Sequence, residues 1–434
     1  MNEYYISTQE RRIIVADVID ELQWRGMIAQ TTDLPALREA LNAGPVTFYC
    51  GFDPTAPSLH HGHLVAVKLM RHLQLAGHNP LVLVGGATGL IGDPREKGER
   101  TLNERDVVAG WADSLRHQLE SLLDFDGEHA ARTVNNLDWT QSMTAVDFLR
   151  DLGKYFRVGT MLNKDIVARR LQSDEGISYT EFSYQILQAN DFLELYRRYG
   201  CTLEVGGNDQ WGNMVGGMDL IRKVEGAPAH VLTNQLIMKS DGTKFGKTAG
   251  GAVWLNPDML SPYKFYQFWL NTEDADVIRM LKVFTFRSRE EIEALEQALS
   301  ENPGAREAQR VLAQDVTTWV HGAQTMERVE AASRVFFGKE DPHVLDADTL
   351  RDAVAEAPRA VGAVGQSVVD VLVALKLEQG FGAARRTLSS GGVYINNVKV
   401  ESADRVIEQD DVLAGGVVLV RKGRKNLAVL EIDG

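Results

Sequence analysis

The chain has 434 residues, enough for about two to four folded units with a large apolar core. Apolar residues make up 44% and charged residues 24%, a balance that excludes a disordered, collagenous or coiled-coil protein. With 46 Lys and Arg against 60 Asp and Glu, the formal net charge is −14. This charge excludes a protein that coats nucleic acid through overall positive charge, but not one with a local basic surface.

The cysteine content and the N-terminus bear on the compartment. Cys50 and Cys201 are too few for a disulfide framework and too far apart for a redox pair or a cysteine zinc site. The first residues are charged where a secretory signal would be apolar. Residues 72–92 lack Asp, Glu, Lys and Arg, but His72, His78, Pro80 and several glycines interrupt them. We therefore expect a cytoplasmic protein without a membrane span.

Strand and helix patterns alternate from about residue 47 to residue 229. Buried strands are predicted at 46–52, 81–84 and 202–205, and helices at 64–76 and 180–199. Gly77 and Gly200 end the two helices. This alternation predicts a doubly wound α/β sheet with parallel strands.

The pattern changes beyond residue 262. Helical periodicity continues to about residue 337, and Ser288 with Glu291 forms a capping box before one of these helices. Residues 338–366 have no strong period and predict a connector with room for one helix. Helices at 368–377 and 383–388 and strands at 393–396, 416–420 and 427–432 then predict a compact α+β unit.

This last unit is the relatively basic part of the chain. Residues 365–434 hold 9 Lys and Arg and 9 Asp and Glu, so the whole net charge of −14 lies upstream. Six basic residues, in a short helix and at a hairpin tip, are candidate phosphate contacts: Arg385, Arg386, Arg421, Lys422, Arg424 and Lys425. A solvated hairpin end is an equally good interpretation of the second group.

The first candidate site is His60-His61-Gly62-His63, which follows a strand and a turn and opens a helix. His60 and His63 share a face, and a helix start offers free N–H groups and a positive dipole to an anion. Imidazole donors there would hold a nucleotide phosphate, and Gly62 would let a flat base lie against the backbone. Two alternatives stay open: a zinc site, which lacks a third ligand at motif spacing, and histidines with no role beyond the helix start.

The second candidate site is a loop, Lys244-Phe245-Gly246-Lys247-Thr248. It does not match the phosphate-loop pattern, because only three residues separate Gly242 from Gly246. Two ammonium groups on a flexible loop suit a transient polyanion such as departing pyrophosphate, whose charge needs most stabilisation in the transition state. An exposed lysine loop without function is the alternative.

The third candidate site is the glycine-rich run from Gly85 to Asp93, which follows the second strand. Its spacing departs from GxGxxG and Pro94 disfavours an immediate helix, so a dinucleotide fingerprint is a weak interpretation. We expect a loop of close approach that presents Asp93 at the carboxyl end of a strand, where it would suit a ligand ammonium group.

The fourth candidate site lies within the predicted helix 180–199. Tyr184, Gln188 and Asp191 fall at i, i+4 and i+7, while the other faces are largely apolar. A polar stripe on a buried helix needs partners, which a ligand would supply. An amphipathic helix with its polar side in water is the alternative.

In this order, these elements resemble those of the bacterial tyrosyl-tRNA synthetases, a family of class I aminoacyl-tRNA synthetases. The resemblance covers essentially the whole chain. It rests on six segments: YCGFDPT at 49–55, HHGH for the HIGH signature, GGATGLIGDP at 85–94, the helix with the polar stripe, GGNDQWG at 206–212, and KFGKT in the place of KMSKS.

The resemblance implies an α/β fold class with a Rossmann-like doubly wound parallel sheet, followed by an α-helical domain and a small α+β RNA-binding domain. The implied divisions are a catalytic domain (1–234), a linker with the KFGKT loop (235–261), a helical domain facing the anticodon side (262–340), a connector (341–365) and a module similar to a small-subunit ribosomal protein (366–434). It also implies a homodimer.

Residue roles follow from the resemblance position by position. For L-tyrosine, the implied residues are Tyr49 and Asp191 at the hydroxyl, Asp93, Tyr184 and Gln188 at the ammonium, and Gln210 near the carboxylate. For ATP and the adenylate they are Cys50, Gly51, Asp53, Gly207 and Asp209, with Thr55, His60 and His63 toward the phosphates. Lys97, Arg100, Lys244 and Lys247 would hold the departing pyrophosphate, and the two loop lysines would also bind ATP. The 95–99 loop is a residue shorter than in some relatives, which leaves the register of Lys97 open.

The implied reaction is attack of the tyrosine carboxylate on the α-phosphorus of ATP, followed by transfer of tyrosine to the terminal ribose of tRNA(Tyr). Mg²⁺ would arrive with the ATP phosphates, with no metal site on the protein and no prosthetic group. Two alternatives remain. Tryptophan specificity on the same scaffold is disfavoured by the Tyr49 and Asp191 pair, and a synthetase-derived, non-catalytic RNA-binding protein is disfavoured by the two nucleotide elements.

Overall fold

The computed structural model describes residues 17–95, 98–99, 102–238, 240, 242, 245, 251–337, 340–355, 357–423 and 426–433. The chain divides into two compact units. The first comprises Met1–Asn256 and Thr272–Leu312, and the second comprises Pro257–Asn271 and Ala313–Gly434. The five-part division implied by the family resemblance stays a prediction.

Eleven strands are present in the described residues. They are β1 (Ile28–Thr31), β2 (Thr47–Phe52), β3 (Asn79–Val84), β4 (Arg132–Asn135), β5 (Leu203–Gly207), β6 (His230–Asn234), β7 (Arg359–Gly362), β8 (Val393–Ile395), β9 (Val398–Lys399), β10 (Val417–Lys422) and β11 (Asn426–Ile432). The first six form one sheet and the last five another.

Nineteen α-helices are present in the same residues. They are α1 (Val18–Trp24), α2 (Leu34–Ala43), α3 (His63–Leu75), α4 (Thr88–Ile91), α5 (Arg105–Leu122), α6 (Leu137–Thr140), α7 (Ala145–Asp147), α8 (Val158–Leu162), α9 (Asp165–Leu171), α10 (Tyr179–Tyr199), α11 (Trp211–Glu225), α12 (Pro262–Leu270), α13 (Asp274–Phe284), α14 (Arg289–Glu301), α15 (Glu307–His321), α16 (Ala323–Phe337), α17 (Ala347–Ala353), α18 (Val368–Ala374) and α19 (Phe381–Ser389). None of these helices has the length and apolarity needed to cross a lipid bilayer.

The sheet of the first unit has the strand order β1-β6-β5-β2-β3-β4. Strands β2 to β6 run parallel, and β1 is an antiparallel edge strand that was not predicted. The three strands predicted at 46–52, 81–84 and 202–205 are confirmed as β2, β3 and β5. Their nearly continuous apolar runs are typical of parallel strands, because helices cover both faces of such sheets.

The predicted helix at 180–199 is confirmed as α10. Ser178 caps its start by accepting a hydrogen bond from the N–H of Glu181, and Gly200 ends it in the left-handed conformation. The capping box of α14 is also confirmed: the Ser288 hydroxyl accepts from the N–H of Glu291, whose carboxylate accepts from the N–H of Ser288.

A buried arginine joins the loop after β3 to α10. The Arg170 guanidinium forms an ion pair with Glu181 at 2.9 Å, and each side chain is 2% exposed. Its remaining N–H groups donate to the backbone carbonyls of Arg95, Gly98 and Gly176. These bonds satisfy a charge that burial would otherwise penalise, and they hold the backbone on both sides of residues 96 and 97.

The sheet of the second unit has the order β7-β11-β10-β8-β9. Alternate residues of β10 and β11 point to two apolar clusters, one with α18 and α19 and one with α16 and α17. The strands predicted at 393–396, 416–420 and 427–432 are confirmed as β8, β10 and β11. Within the predicted connector lie α17 and also β7, a four-residue strand that was not predicted and that pairs only with β11.

Candidate active site

The predicted site residues of the first unit gather at the carboxyl ends of the parallel strands. From β2 the chain adds β3 and β4 on one side, whereas β5 and β6 lie on the other side of β2. The order in which the chain adds strands therefore reverses between β2 and β5. In doubly wound folds, ligands bind at the carboxyl ends of the strands at such a point. Asp53 follows β2, Gly85 follows β3 and Asp209 follows β5.

Tyr49 and Asp191 lie buried together behind this edge. The Tyr49 ring packs 5.3 Å from that of Phe192, and its hydroxyl lies beside the Glu204 carboxyl group. Asp191 accepts hydrogen bonds from Asn136 Nδ2 at 2.9 Å and Trp139 Nε1 at 2.8 Å. Burial raises the pKa of Asp191 to about 7, against the lowering effect of those two bonds. The pocket thus offers polar atoms in an apolar setting.

The other two residues of the α10 stripe point toward β2 and β5. The Tyr184 hydroxyl donates to Asp53 Oδ2 at 2.7 Å. Gln188 Nε2 donates to Glu204 Oε1 at 3.3 Å. The stripe therefore faces the protein interior rather than water, which was the alternative interpretation of the sequence.

Asp93 belongs to a second polar cluster at the same edge. Its carboxylate accepts from Gln210 Nε2 at 3.0 Å and from Asn213 Nδ2 at 3.3 Å. Lys164 Nζ donates to Asn213 Oδ1 at 3.2 Å. Burial lowers the pKa of Lys164 to about 8, while the charges of Asp93 and Glu204 act in the opposite direction.

The glycine-rich loop approaches Asp53 closely, as predicted. A Cβ atom at Gly85 would lie 2.0 Å from Asp53 Oδ1 and 2.4 Å from Thr88 Oγ1. The Thr88 hydroxyl in turn donates to Asp53 Oδ1 at 2.7 Å. Only glycine leaves room at position 85 for this carboxylate, so the loop can pack directly against Asp53.

The His60-His61-Gly62-His63 segment uses its own backbone N–H groups. The His60 N–H donates to His63 Nδ1 at 3.1 Å, and the Gly62 N–H donates to His60 Nδ1 at 3.1 Å. The N–H groups of His61, His63 and Leu64 bond to carbonyls. The expectation of free N–H groups at this helix start is therefore wrong, because imidazole nitrogens and turn carbonyls accept from them.

These hydrogen bonds determine which ring nitrogen of His60 and of His63 carries the proton. Because Nδ1 of His60 and of His63 accepts a hydrogen bond, the proton of each neutral ring is on Nε2. Burial lowers the pKa of His60 to about 4 and that of His63 to about 3, so both rings are neutral at pH 7. The rings stack 4.0 Å apart. A Cβ atom at Gly62 would lie 2.9 Å from the His60 ring, which occupies that side of the glycine.

The two nucleotide elements meet in space. His61 Nε2 donates to the carbonyl oxygen of Phe245 at 2.9 Å, across 184 positions of sequence. The His61 N–H donates to the Val253 carbonyl, and the His60 ring lies 6.1 Å from that of Trp254. Phe245 is the second residue of KFGKT. Four predicted cationic residues lie outside the described residues: Lys97, Arg100, Lys244 and Lys247.

The remaining predicted nucleotide residues lie along the same strand ends. Cys50 is buried in β2, and burial raises the pKa of its thiol. Gly51, Thr55 and Asp209 are exposed, whereas Gly207 is half-buried at the end of β5. The exposed positions form an open face, while Tyr49 and Asp191 lie behind it.

Five further residues of the site were missed by the sequence interpretation. They are Asn136, Trp139, Lys164, Glu204 and Asn213, which bond to or lie beside the predicted ones. Glu204 carried a usable signal, since a charged residue inside the apolar strand pattern LEVGG is unusual in a buried parallel strand. The others depend on contacts between distant segments.

The basic residues of the second unit divide into two groups. Arg421 Nη1 donates to the Phe336 carbonyl at 2.7 Å, and Lys422 Nζ lies 2.8 Å from the Glu378 carboxylate. Arg385 and Arg386 are exposed on α19. Arg424 and Lys425 lie outside the described residues. Arg421 and Lys422 therefore already have intramolecular partners, unlike a purely solvated hairpin end.

We expect Glu204→Gln to change how stability depends on pH. Burial raises the pKa of Glu204 to about 8 from an ordinary value of 4.5, so between these values the folded protein holds a proton that the unfolded chain has lost. The free energy of unfolding of the wild type therefore falls as pH rises from 4.5 to 8. Urea unfolding at pH 5 and pH 8 should show the variant gaining stability relative to wild type at pH 8. The same difference in the free energy of unfolding between variant and wild type at pH 5 and at pH 8 would contradict this.

Comparison with known proteins places the chain in a class. Residues 41–338 match the family model described as tRNA synthetases class I (W and Y), and residues 350–430 match the model of the tyrosine–tRNA ligase SYY-like C-terminal domain. The fold is thus that of a class I tRNA synthetase, a class that uses ATP as a substrate.

Relatives of known name give the particular family. The chain is 56% identical to the tyrosine–tRNA ligase of Streptomyces coelicolor over 97% of its own length and 100% of that protein. It is 56% identical to that of Leifsonia xyli over 96% of its length and 94% of that protein. A C-terminally truncated mitochondrial tyrosyl-tRNA synthetase of Aspergillus nidulans superposes with a TM-score of 0.68 at 29% identity, covering 76% of this chain and 97% of that one. The chain belongs to the tyrosine–tRNA ligase family.

Proposed function

We propose that this ligase carries out both steps of tyrosine attachment at the edge described above. Tyrosine and ATP give tyrosyl-adenylate and pyrophosphate, and the terminal ribose of tRNA(Tyr) then accepts the tyrosyl group. The observation that carries the proposal is the bond between His61 and the Phe245 carbonyl, which joins the HHGH segment to the second residue of KFGKT, while the His63 ring lies 6.4 Å from that of Phe52 at the end of β2. No covalent enzyme intermediate is needed, because positioning and charge stabilisation suffice.

The phenol end of tyrosine would bind to Tyr49 and Asp191. The Tyr49 hydroxyl is buried beside Glu204, and Asp191 is oriented by Asn136 and Trp139. A phenolic hydroxyl can both donate and accept, so it would satisfy both groups. Phenylalanine could not form these hydrogen bonds in the buried site, and tyrosine is therefore selected.

The ammonium end of tyrosine would bind to Asp93, Tyr184 and Gln188. Asp93 is a carboxylate, and the Tyr184 oxygen can accept because its proton is donated to Asp53. Gln210, which bonds to Asp93, would lie near the tyrosine carboxylate. These groups lie together at the carboxyl ends of the strands. They would therefore orient the reacting carboxylate of tyrosine toward the nucleotide.

The nucleotide would lie along the exposed strand ends. Neutral His60 and His63 would donate from Nε2 to phosphate oxygens, with Thr55 beside them, and Cys50, Gly51, Asp53, Gly207 and Asp209 would contact the sugar and adenylate. Lys97, Arg100, Lys244 and Lys247 would hold the pyrophosphate as it leaves. Mg²⁺ would enter with ATP, bound through its phosphates and water.

Amino-acid-dependent exchange of pyrophosphate into ATP tests this assignment. We expect exchange with L-tyrosine and none above background with L-tryptophan or L-phenylalanine at the same concentration. Exchange that depended on tryptophan would contradict the pocket assignment. Binding of RNA without any aminoacylation would support the non-catalytic alternative instead.

The second unit would bind tRNA(Tyr). The exposed Arg385 and Arg386 on α19 support this role, because exposed guanidinium groups suit phosphate contacts. Arg424 and Lys425 would add to them, whereas Arg421 and Lys422 would contact RNA only beside their present partners.

We propose the cytoplasm as the compartment of this protein. Both cysteines are free and buried, which is typical of proteins in a reducing compartment.

We further propose a homodimer. Five large apolar side chains within residues 146–179 are between 48% and 66% exposed: Val146, Leu149, Val158, Leu171 and Tyr179. Such a concentration on one stretch is typical of an interface. Sedimentation equilibrium should give twice the chain mass of 48.1 kDa, and Tyr179→Glu should shift the population toward the monomer. A wild type that stays monomeric at micromolar concentration would contradict this.

A further inference from the structure

Glu204 is a buried carboxyl group for which the proposed reaction has no role. It lies on β5, directly beside Tyr49 of the neighbouring strand β2, at the point where the strand order reverses. Glu204 is 3% exposed. The ionisable groups around it are Tyr49 from β2, Asp191 from α10 and Lys164 from the segment between α8 and α9. A carboxyl group in such a place costs free energy, so its contacts need an explanation.

The contact that matters is the one with Gln188. Glu204 Oε1 accepts from Gln188 Nε2 at 3.3 Å. Burial keeps a proton on Glu204 at pH 7; with that proton on Oε2, Oε1 is a carbonyl oxygen that only accepts, and it bonds to the NH₂ end of the amide. The amide is planar, and its oxygen must then point away from Glu204. Gln188 Oε1 is buried and, throughout the described ranges, makes no hydrogen bond.

A buried, unpaired amide oxygen calls for a donor. The substrate ammonium has three N–H donors and no acceptor. The Tyr184 oxygen and the Asp93 carboxylate, which we assign to the same ammonium, are also acceptors. If the Gln188 amide turned over, it would present N–H groups to a cation, which is repulsive.

We propose that Glu204 is a positioning residue that sets the Gln188 amide so that its oxygen accepts from the substrate ammonium. The proposal rests on the assignment of Gln188 to that ammonium. Glu204 acts on amino-acid recognition through Gln188, without touching ATP or the reacting carboxylate.

Glu204→Leu tests this role, because leucine has a similar volume and no acceptor. In steady-state exchange, we expect KM for tyrosine to rise about tenfold, the loss for one hydrogen bond to a charged group, with kcat within about twofold. KM for ATP should not change. A general structural defect would instead move kcat and both KM values together and would overturn the proposal.

Two tyrosine fragments locate the effect within the substrate. Tyramine keeps the phenol and the ammonium, whereas 3-(4-hydroxyphenyl)propionate keeps the phenol and the carboxylate but lacks the ammonium. Both fragments are tested as competitive inhibitors of exchange. The inhibition constant of tyramine should be about tenfold higher for the variant than for the wild type, and that of the propionate should be the same for both proteins. Equal weakening of both would mean that Glu204 acts at the phenol end through Tyr49, which overturns the proposal.

A double-mutant cycle closes the test. Because Glu204 acts through Gln188, Glu204→Leu should change KM for tyrosine by less than about twofold in a Gln188→Leu background. Independent, multiplying effects would overturn the proposal. If Glu204→Leu does not fold, Glu204→Met removes the same acceptor with an unbranched side chain. A wild type without tyrosine-dependent exchange would refute the proposed function itself, whereas normal exchange with unaffected Glu204 variants would refute only this inference.

Discussion

Lys247→Ala should slow the formation of tyrosyl-adenylate by about 100- to 1,000-fold while leaving the Kd of tyrosine within about twofold. The negative charge of the departing pyrophosphate is greatest in the transition state, so a lysine that contacts it contributes there and not to the binding of tyrosine. The contact of His61 with the carbonyl of Phe245, two residues before Lys247, supports this role. Single-turnover kinetics measure the rate, and equilibrium dialysis measures the Kd.

The control for this experiment is Lys399→Ala, which removes an exposed lysine of the second unit. It should leave both quantities unchanged. A large loss of tyrosine affinity in Lys247→Ala with an unchanged forward rate would contradict the role in the transition state. It would place Lys247 in the amino-acid pocket instead.

Asp191→Ala should weaken tyrosine binding by about 10- to 100-fold and should reduce the preference for tyrosine over phenylalanine by a similar factor. The range corresponds to the loss of one hydrogen bond between the substrate hydroxyl and a charged acceptor. Phenylalanine has no such bond to lose, so its own kcat/KM should change much less. Exchange kinetics on the same preparation, with phenylalanine supplied at concentrations far above those used for tyrosine, give the ratio of the two kcat/KM values.

The substitution also has a structural cost, which must be separated from recognition. When Asp191 becomes alanine, the buried Trp139 Nε1 loses its acceptor and the buried Asn136 Nδ2 loses one of its two, keeping Thr88 Oγ1. Asp191→Asn keeps an acceptor oxygen and nearly the same volume, so it should retain more stability while still losing the charge. Unchanged discrimination against phenylalanine in both variants would argue that Asp191 does not contact the phenol.

Local patterns in the sequence determined most of the elements. The strands β2, β3 and β5 and the helix α10 were predictable because apolar periodicity and end signals such as Gly200 act within a few residues. The same holds for the capping box of Ser288 and Glu291. The candidate residues of the site were also available, because strand ends and one helix stripe contain most of them.

Only the tertiary structure decided which of these residues meet. The bond of His61 to the Phe245 carbonyl joins segments 184 positions apart, and Glu204 lies beside Tyr49 only because β5 pairs with β2 in one register. Crossover connections set that register, and no local period encodes it. The tautomers of His60 and His63 likewise depend on which N–H groups reach their rings, a matter of ångströms that spacing cannot specify. The sequence therefore determined the elements and the inventory of polar groups, whereas packing decided their partners and their protonation.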